Sequence, residues 1–340
     1  MTELAGDKEK IVLLPHGDGG AMTKELIDSL FLKYFRSPYL ADQSDATSLP
    51  GKEGKMCVTI DSFVVDPIFF PGGDIGKLSI CGTVNDLAVS GAIPEYIAAS
   101  FILEEGLPLD LLEKIVLSMQ ESSRESGVAV VAGDTKVVPR GCADKIFITT
   151  TGIGYQRPGI NLGVRSIKPG DLIVVNGSIG DHGLAIMAAR ENMGMEGIVS
   201  DCAPLNGIIG KLLDRCRSVR MMRDLTRGGL ATCLKEIVME TQLDAIISED
   251  SLPISPRVAG AAEILGLDPL YLANEGKFLA VLDGADITSG LDSLLAHPLG
   301  REAKIIGRVV RGKGNLYLKT PLGGTRVLNL MAGMPLPRIC

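Results

Sequence analysis

The residue best suited to covalent chemistry is Cys340, which closes the chain in "PLPRIC". Pro335 and Pro337 forbid a helix there and favour extended backbone. A tail of about fifteen extended residues spans on the order of 50 Å, enough to swing a thiol between sites. The other six cysteines, Cys57, Cys81, Cys142, Cys202, Cys216 and Cys233, sit in apolar segments and read as small buried hydrophobes. With no C-x-x-C and only three histidines, the set fits neither a zinc site nor a disulfide framework.

Carboxylates form the second group. "LADQSDATSL" offers Asp42 and Asp45 on a loop, "TIDSFVVDP" offers Asp61, "GTVNDLAVSGA" offers Asp86, and "VAGDTKVV" offers Asp134 with Lys136. An aspartate between β-branched apolar residues needs a partner, because burying it unpaired is costly. Several carboxylates converging on Mg²⁺, with phosphate oxygens completing the shell, would meet that need. Any one of them alone is better explained as a cap or turn residue, but the group of four is not.

Glycine loops that face phosphate are the third group. "PHGDGGAMTKEL" precedes an expected helix but matches neither the P-loop nor the dinucleotide pattern. In "RDLTRGGLATCLKEIV", Asp224 and Thr226 are placed to cap the helix opened by Gly228 and Gly229, with Arg223 and Arg227 beside its positive end. His182 stands at a helix start in "NGSIGDHGLAIMA", and Glu275 beside Gly276 in "LANEGKFLAVL". Single residues of these types are more often structural than catalytic.

The elements that must position these groups follow from periodicity. "GKMCVTIDSFVV" (54–65), 95–103, 128–138 and 144–155 read as strands. Residues 77–92 place Leu78, Cys81, Val84 and Leu87 on one helical face, with Asn85 and Asp86 at its edge. A helix over 108–127 carries Leu112, Ile115, Val116 and Met119 at helical spacing, with Asp110 as its expected cap. The order β-α-β-α-β-β predicts a sheet with helices on one face. After a Gly- and Pro-dense connection at 156–171, a second unit alternates helices near 181–194, 206–216, 228–241, 255–266 and 289–296 with strands near 218–223, 244–248, 270–283 and 303–310. The expected fold is therefore α+β, or mixed α/β, in two domains. An N-terminal segment (1–40) precedes domains at 41–156 and 168–320, and 321–340 forms a flexible tail ending in Cys340.

Hydrophobic residues make up 46% and charged residues 22%, as in a folded globular chain. The net charge of -7, without a basic run, argues against nucleic acid. No segment has a signal-peptide pattern or membrane-spanning length, so a cytoplasmic location is expected.

Taken together, "TIDSFVVDPIFFPGGDIGKLSICGTVNDLAVSGAIP", "AGDTKVV", "TGIG", "RDLTRGGLA", "NEG" and "PRIC" resemble the HypE family of hydrogenase maturation proteins, within the PurM-like ATP-binding superfamily. The resemblance covers nearly the whole chain. "SDAT" stands where the family tends to have "DDAA", and Leu225 where it tends to have proline. It implies ATP and Mg²⁺, with Asp45, Asp61, Asp86 and Asp134 as metal ligands and Asn85, Gly133 and Arg227 beside the nucleotide. It further implies that a HypF-type carbamoyltransferase loads Cys340 with a carbamoyl group, which the enzyme dehydrates to a thiocyanate. The nitrile would pass through HypC and HypD to become a cyanide ligand of [NiFe]-hydrogenase iron. Glu275 is the expected base, with Lys136 and His182 steadying phosphate or shuttling a proton. The family also implies a homodimer. Two other readings keep the same nucleotide site: a kinase or synthetase acting on a free small molecule, and a nucleotide-binding scaffold. Neither needs the thiol of Cys340.

Overall fold

The computed structural model describes residues 10–41, 43, 45–331, 333, 336 and 338–340; Asp42, one of the expected loop carboxylates, lies outside them. The chain runs through α1 (Ala21–Leu26), α2 (Leu32–Phe35), β1 (Met56–Phe63), β2 (Phe69–Phe70), β3 (Gly73–Asp74), α3 (Ile75–Val89), β4 (Ala92–Glu104), α4 (Leu109–Ser126), β5 (Ala129–Val138) and β6 (Ile146–Gln156). The second unit comprises β7 (Leu172–Val175), α5 (Asp181–Arg190), α6 (Asn206–Arg215), β8 (Val219–Asp224), α7 (Gly229–Thr241), β9 (Leu243–Ser248), α8 (Pro256–Leu265), β10 (Phe278–Leu282), α9 (Ile287–Leu295), β11 (Lys304–Arg311), β12 (Leu316–Lys319) and β13 (Thr325–Leu328).

In the first unit the sheet order is β1-β6-β4-β5, with α3 and α4 packed on one face. Leu112, Ile115, Val116 and Met119 of α4 are all fully buried, as their spacing requires. The helix ends at Gly127, whose φ of 72° closes the last turn. Its N-cap is Pro108; Asp110 makes an ion pair with Lys114 one turn on instead of capping. By contrast, α3 has no single apolar stripe and is buried on nearly all sides. One side meets the sheet and another meets the second unit, so a helix that reads as amphipathic becomes an interior element. Asp74 caps it by accepting from the amides of Gly76 and Lys77.

Strand β1 alternates: Met56, Val58 and Ile60 are 61%, 57% and 67% exposed, while Cys57, Thr59, Asp61 and Phe63 lie on the helix-covered face. The register aligns Asp61 with Thr150, Thr150 with Ala99, and Ala99 with Gly133.

The second unit is a seven-stranded sheet ordered β13-β12-β9-β11-β7-β10-β8. Its central strands, "LIVV" and "FLAVL", read as unbroken apolar runs because helices cover both faces. Ile173, Val175, Leu279 and Val281 enter the core under α7, whereas Val174, Phe278, Ala280 and Leu282 enter the one under α6 and α9. The strand expected over 270–283 is shorter in the structure. Pro269–Tyr271 is a 3-10 turn capped by Asp268, and Asn274 bonds the amide of Gly180 and the carbonyls of Leu225 and Leu272. Residues 272–277 are thereby held as a loop, and that loop carries Glu275.

Two further expectations change. Cys142 is exposed and Cys57 half-buried, while Cys81, Cys202, Cys216 and Cys233 are buried. Within 321–340, Thr325–Leu328 pairs with β12, and Arg338–Cys340 lies against the chain leaving β1. No helix among the described residues is long and apolar enough to cross a membrane.

Candidate active site

A cleft of about 430 Å³ opens between the two units. Asp61 and Phe63 of β1, Gly82 and Asp86 of α3, Arg223 and Asp224 at the end of β8, Arg227 beyond it, Glu275 and Cys340 line it. The cleft forms because the ends of β8 and β10 lie side by side, Asp224 pairing with Phe278, opposite the α3 edge of the first sheet.

Like charge and burial dominate its electrostatics. Burial and the charge of Asp86 push the Asp61 carboxyl above its usual range, with Arg227 opposing. Burial also raises Asp86, although a hydrogen bond from the Thr59 hydroxyl (2.8 Å) and the charges of Arg227 and Arg223 work against it. Asp224 is pushed up to about 7, first by burial and then by Asp86. Glu275 is raised well above the carboxylate range by burial, then by Cys202, Asp224, Asp201 and Asp61. Its Oε1 is buried and has no hydrogen-bond partner. Burial, with Glu275 adding, lifts the Cys340 thiol to about 12. In the cleft the sulfur therefore holds its proton at neutral pH.

Glu275 is held by its neighbours. The carboxylate of Asp201 accepts from the amides of Glu275 (3.0 Å) and Gly276 (3.1 Å) and from Nζ of Lys277 (3.0 Å). Burial works against the Asp201 charge, but Lys277, with the hydrogen bond from the Glu275 amide, outweighs it and holds the carboxyl below its usual range. A Cβ at Gly276 would stand 1.9 Å from the Asp201 carbonyl, so only glycine allows this approach. Asn85 serves the same loop: its amide donates to the carbonyls of Ala203 and Glu275 (both 3.1 Å) and accepts from the amide of Leu205 (2.7 Å). These bonds engage the whole side-chain amide within the protein. The amide of Leu225 donates to the Lys277 carbonyl at 3.0 Å, a bond a proline there could not make.

The four aspartates expected to share one metal are parted. Asp61 and Asp86 share the cleft with Asp224, whereas Asp45, Gly133, Asp134 and Lys136 line a second cavity of about 370 Å³ at the β5 edge. Three strand spacings, about 14 Å, separate Asp61 from Gly133 across the sheet. Asp134 aligns with Ser100, Thr149 and Ser62 in the adjacent pleat row, which faces away from α3. Its carboxylate pairs with Lys136 at 2.7 Å in an exposed contact. One ion cannot bridge these positions in a single chain, and among the described residues no group of three or more His, Cys, Asp or Glu is arranged to grip a metal. Asp61, Asp86 and Asp224 nonetheless form a hard-oxygen set whose mutual repulsion a cation would relieve.

The second cavity has Gly17 and Gly19 of the N-terminal glycine loop at its mouth, and Ile27, Phe31, Phe35, Tyr39 and Leu40 on its apolar wall. Its shape, apolar with a polar rim, suits a planar base.

His182 does not reach the thiol. It is fully buried, with Nε2 2.8 Å from the Ile339 carbonyl and Nδ1 2.8 Å from the Ser200 hydroxyl. A carbonyl only accepts, so Nε2 carries the proton and Nδ1 accepts from Ser200. With both nitrogens engaged, the expected proton shuttle gives way to a contact with the tail. Lys136 lines the other cavity, away from the cleft that holds Cys340.

Asp201 and Asp224 were not among the expected site residues. Asp224 read as a cap, but the N-cap of α7 is Gly228 and no side chain caps the helix. Its position beside Arg223 and Arg227 was the available signal. Asp201, in "SDCAPLN", carries no local pattern.

A two-domain fold with this interdomain acid cleft defines the class, and family profiles agree. Residues 43–156 match the AIR synthase related protein N-terminal domain, and residues 168–319 match the corresponding C-terminal domain. The chain is thus a PurM-like protein of the AIR synthase-related class. It is 43% identical over 337 residues to carbamoyl dehydratase HypE of Rhodobacter capsulatus, covering 98% of this chain and 99% of that one. Its fold matches a crystal structure of the hydrogenase maturation protein HypE in complex with ATP, with a TM-score of 0.93, 44% identity, and 96% and 99% coverage. It also matches a chain of a HypE-HypF complex, with a TM-score of 0.79, 43% identity, and 92% and 100% coverage. The chain belongs to the HypE family.

Proposed function

We propose that this protein is an ATP-dependent carbamoyl dehydratase whose substrate group rides on its own Cys340. One observation carries the reading: in a HypE-family chain, Cys340 lies in a cleft with Glu275, Asp61, Asp86, Asp224 and Arg227.

The docked thiol, near pKa 12, is a poor nucleophile, so loading with carbamoyl belongs to a state in which the tail is out. A HypF-type carbamoyltransferase is the loading partner we infer. After the tail returns, the carbamoyl oxygen attacks the γ-phosphorus of ATP and ADP leaves, as one nitrogen proton is lost. The carbon–oxygen bond then breaks, the oxygen departs as phosphate, and loss of the second nitrogen proton leaves S–C≡N. The sum is S-carbamoyl cysteine plus ATP giving S-cyano cysteine, ADP, phosphate and a proton.

Glu275 is the group we infer to take a proton from the nitrogen, because its side chain lines the cleft with Cys340 and its buried Oε1 has no hydrogen-bond partner within the protein. Arg227 is exposed at the cleft mouth and faces charge building on phosphate. Asp61, Asp86 and Asp224, which share the cleft, are the carboxylates we infer would face Mg²⁺ brought in with the nucleotide phosphates. When bound, the ion supplies charge neutralisation on the phosphates. Gly133, Asp134, Asp45 and Lys136 are inferred to meet the nucleotide from the second cavity. The exposed apolar row Met56, Val58 and Ile60 is where a second copy would pack, forming the homodimer, and HypC- and HypD-type proteins are the inferred receivers of the nitrile.

The decisive experiment follows the mass of the peptide containing Cys340. Incubation with the carbamoyltransferase and carbamoyl phosphate is expected to add one carbamoyl group, and Mg·ATP then to remove one water. An adduct that ATP leaves unchanged overturns the dehydratase reading.

A further inference from the structure

We propose that α5 is a two-point latch: His182 at its start and Arg190 at its end grip the backbone of the last three residues and set how often Cys340 lies inside the cleft. The significance for turnover rests on Cys340 being the carried thiol, but the docking itself does not.

The tail runs antiparallel to the chain leaving β1, joined to it by two backbone hydrogen bonds. The amides of Val64 and Asp66 donate to the carbonyls of Cys340 (3.1 Å) and Arg338 (3.2 Å). Arg190 bridges both sides: its Nε and Nη2 donate to the Asp66 carbonyl at 2.9 and 2.7 Å, and Nη2 also donates to the Arg338 carbonyl at 2.8 Å. His182 adds its bond to the Ile339 carbonyl at 2.8 Å. The tail answers with Arg338, which donates to the Val64 carbonyl and the Asp144 carboxylate, both at 2.8 Å. Ile339 fills the interdomain core at 4% exposure.

Two features make this a latch and not merely packing. First, the bonds that His182 and Arg190 make to the tail go to its backbone carbonyls, so their grip is independent of what the Cys340 sulfur carries. Second, both also have partners outside the tail. Arg190 keeps its two bonds to Asp66, and His182 is fixed by Ser200, whose oxygen accepts from the amide of Cys202 at 3.1 Å. The cradle is preorganised, so the tail alone orders on docking.

The test uses the full chain and iodoacetamide, without ATP or any partner, and reads alkylation of Cys340 from the mass of its peptide under native conditions. Arg190→Ala is expected to alkylate at least about tenfold faster than the wild type, as the loss of charge-assisted bonds predicts. Arg190→Lys, which keeps a donor, should fall between, and His182→Gln should also be faster. Thermal unfolding checks that each variant is folded. Should Arg190→Ala not fold, Arg338→Ala, which alters only the tail, carries the same expectation. Wild-type alkylation rates in folded Arg190→Ala and His182→Gln would overturn the latch. A second readout separates positioning from general damage: the variants should be loaded faster by the carbamoyltransferase and lose water more slowly with ATP. Failure of loading alone would count against the carbamoyl reading and leave the alkylation result standing.

Discussion

The amide of Val64 donates to the carbonyl of Cys340 across 3.1 Å, joining residues 276 positions apart in the chain. One backbone bond thus ties the end of β1, which carries Asp61, to the residue that carries the thiol. Backbone hydrogen bonds between the docked tail and the chain leaving β1 bring the sulfur to the carboxylates.

Glu275→Gln keeps the size and shape of the side chain and removes its basicity. Because Oε1 has no partner to lose, folding and tail docking should be unchanged. ATP-driven loss of water from carbamoylated Cys340 is expected to slow by about a hundredfold or more. Single-turnover mass measurement checks it, and a wild-type rate would remove Glu275 from proton transfer.

Asp201→Ala leaves two amides and the Lys277 ammonium without their acceptor in a buried place. The expected loss of stability is about 3–5 kcal/mol, by urea denaturation. Asp201→Asn, which still accepts but carries no charge, should lose less stability and still misplace Glu275.

Docking of the tail should weaken in mild acid. Burial holds the His182 pKa below its ordinary 6.5, against the opposing charge of Asp201 and the bond to Ile339. The docked state therefore binds fewer protons than a state in which the ring meets water. Protonation pulls toward that open state as pH falls below about 6.5, by up to about tenfold per pH unit until the docked pKa is reached. Hydrogen exchange at the Val64 and Asp66 amides, corrected for intrinsic rates, should show protection at pH 7.5 that declines by pH 5.5. Constant protection would contradict this account.

Asp224 destabilises the fold where it is charged. Its folded pKa of about 7 lies above the ordinary 3.8, so the unfolded chain binds fewer protons between those values and stability falls as pH rises through that window. Asp224→Asn should remove this slope and add on the order of 2 kcal/mol at pH 8 in the absence of divalent cations. Mg²⁺ with nucleotide is expected to stabilise the wild type more than the variant.

Ile60→Glu places a charge in the exposed row with Met56 and Val58 without touching the core. Sedimentation should show the wild type as a dimer and the variant shifted toward monomer, with monomeric wild type as the contrary result.

The sequence by itself determined the elements and the inventory of reactive groups. Alternation in "CVTIDSF", the 3.6-residue spacing through Leu112 and Met119, and the apolar runs "LIVV" and "FLAVL" specify strands and helices locally, because periodicity decides which face meets water. Cys340, Asp61, Asp86, Arg227 and Glu275 were legible because each is a polar residue at the end of, or within, an apolar run. Tertiary structure alone decided the company they keep. Strand order, a long-range property, put Asp134 and Lys136 on another edge and face from Asp61. Packing between the units brought Asp201 and Asn85, distant in sequence, onto the Glu275 loop. The chain leaving β1 and helix α5 met the tail, so that His182, which reads in sequence as a candidate proton carrier, became a hydrogen-bond donor to the backbone of Ile339.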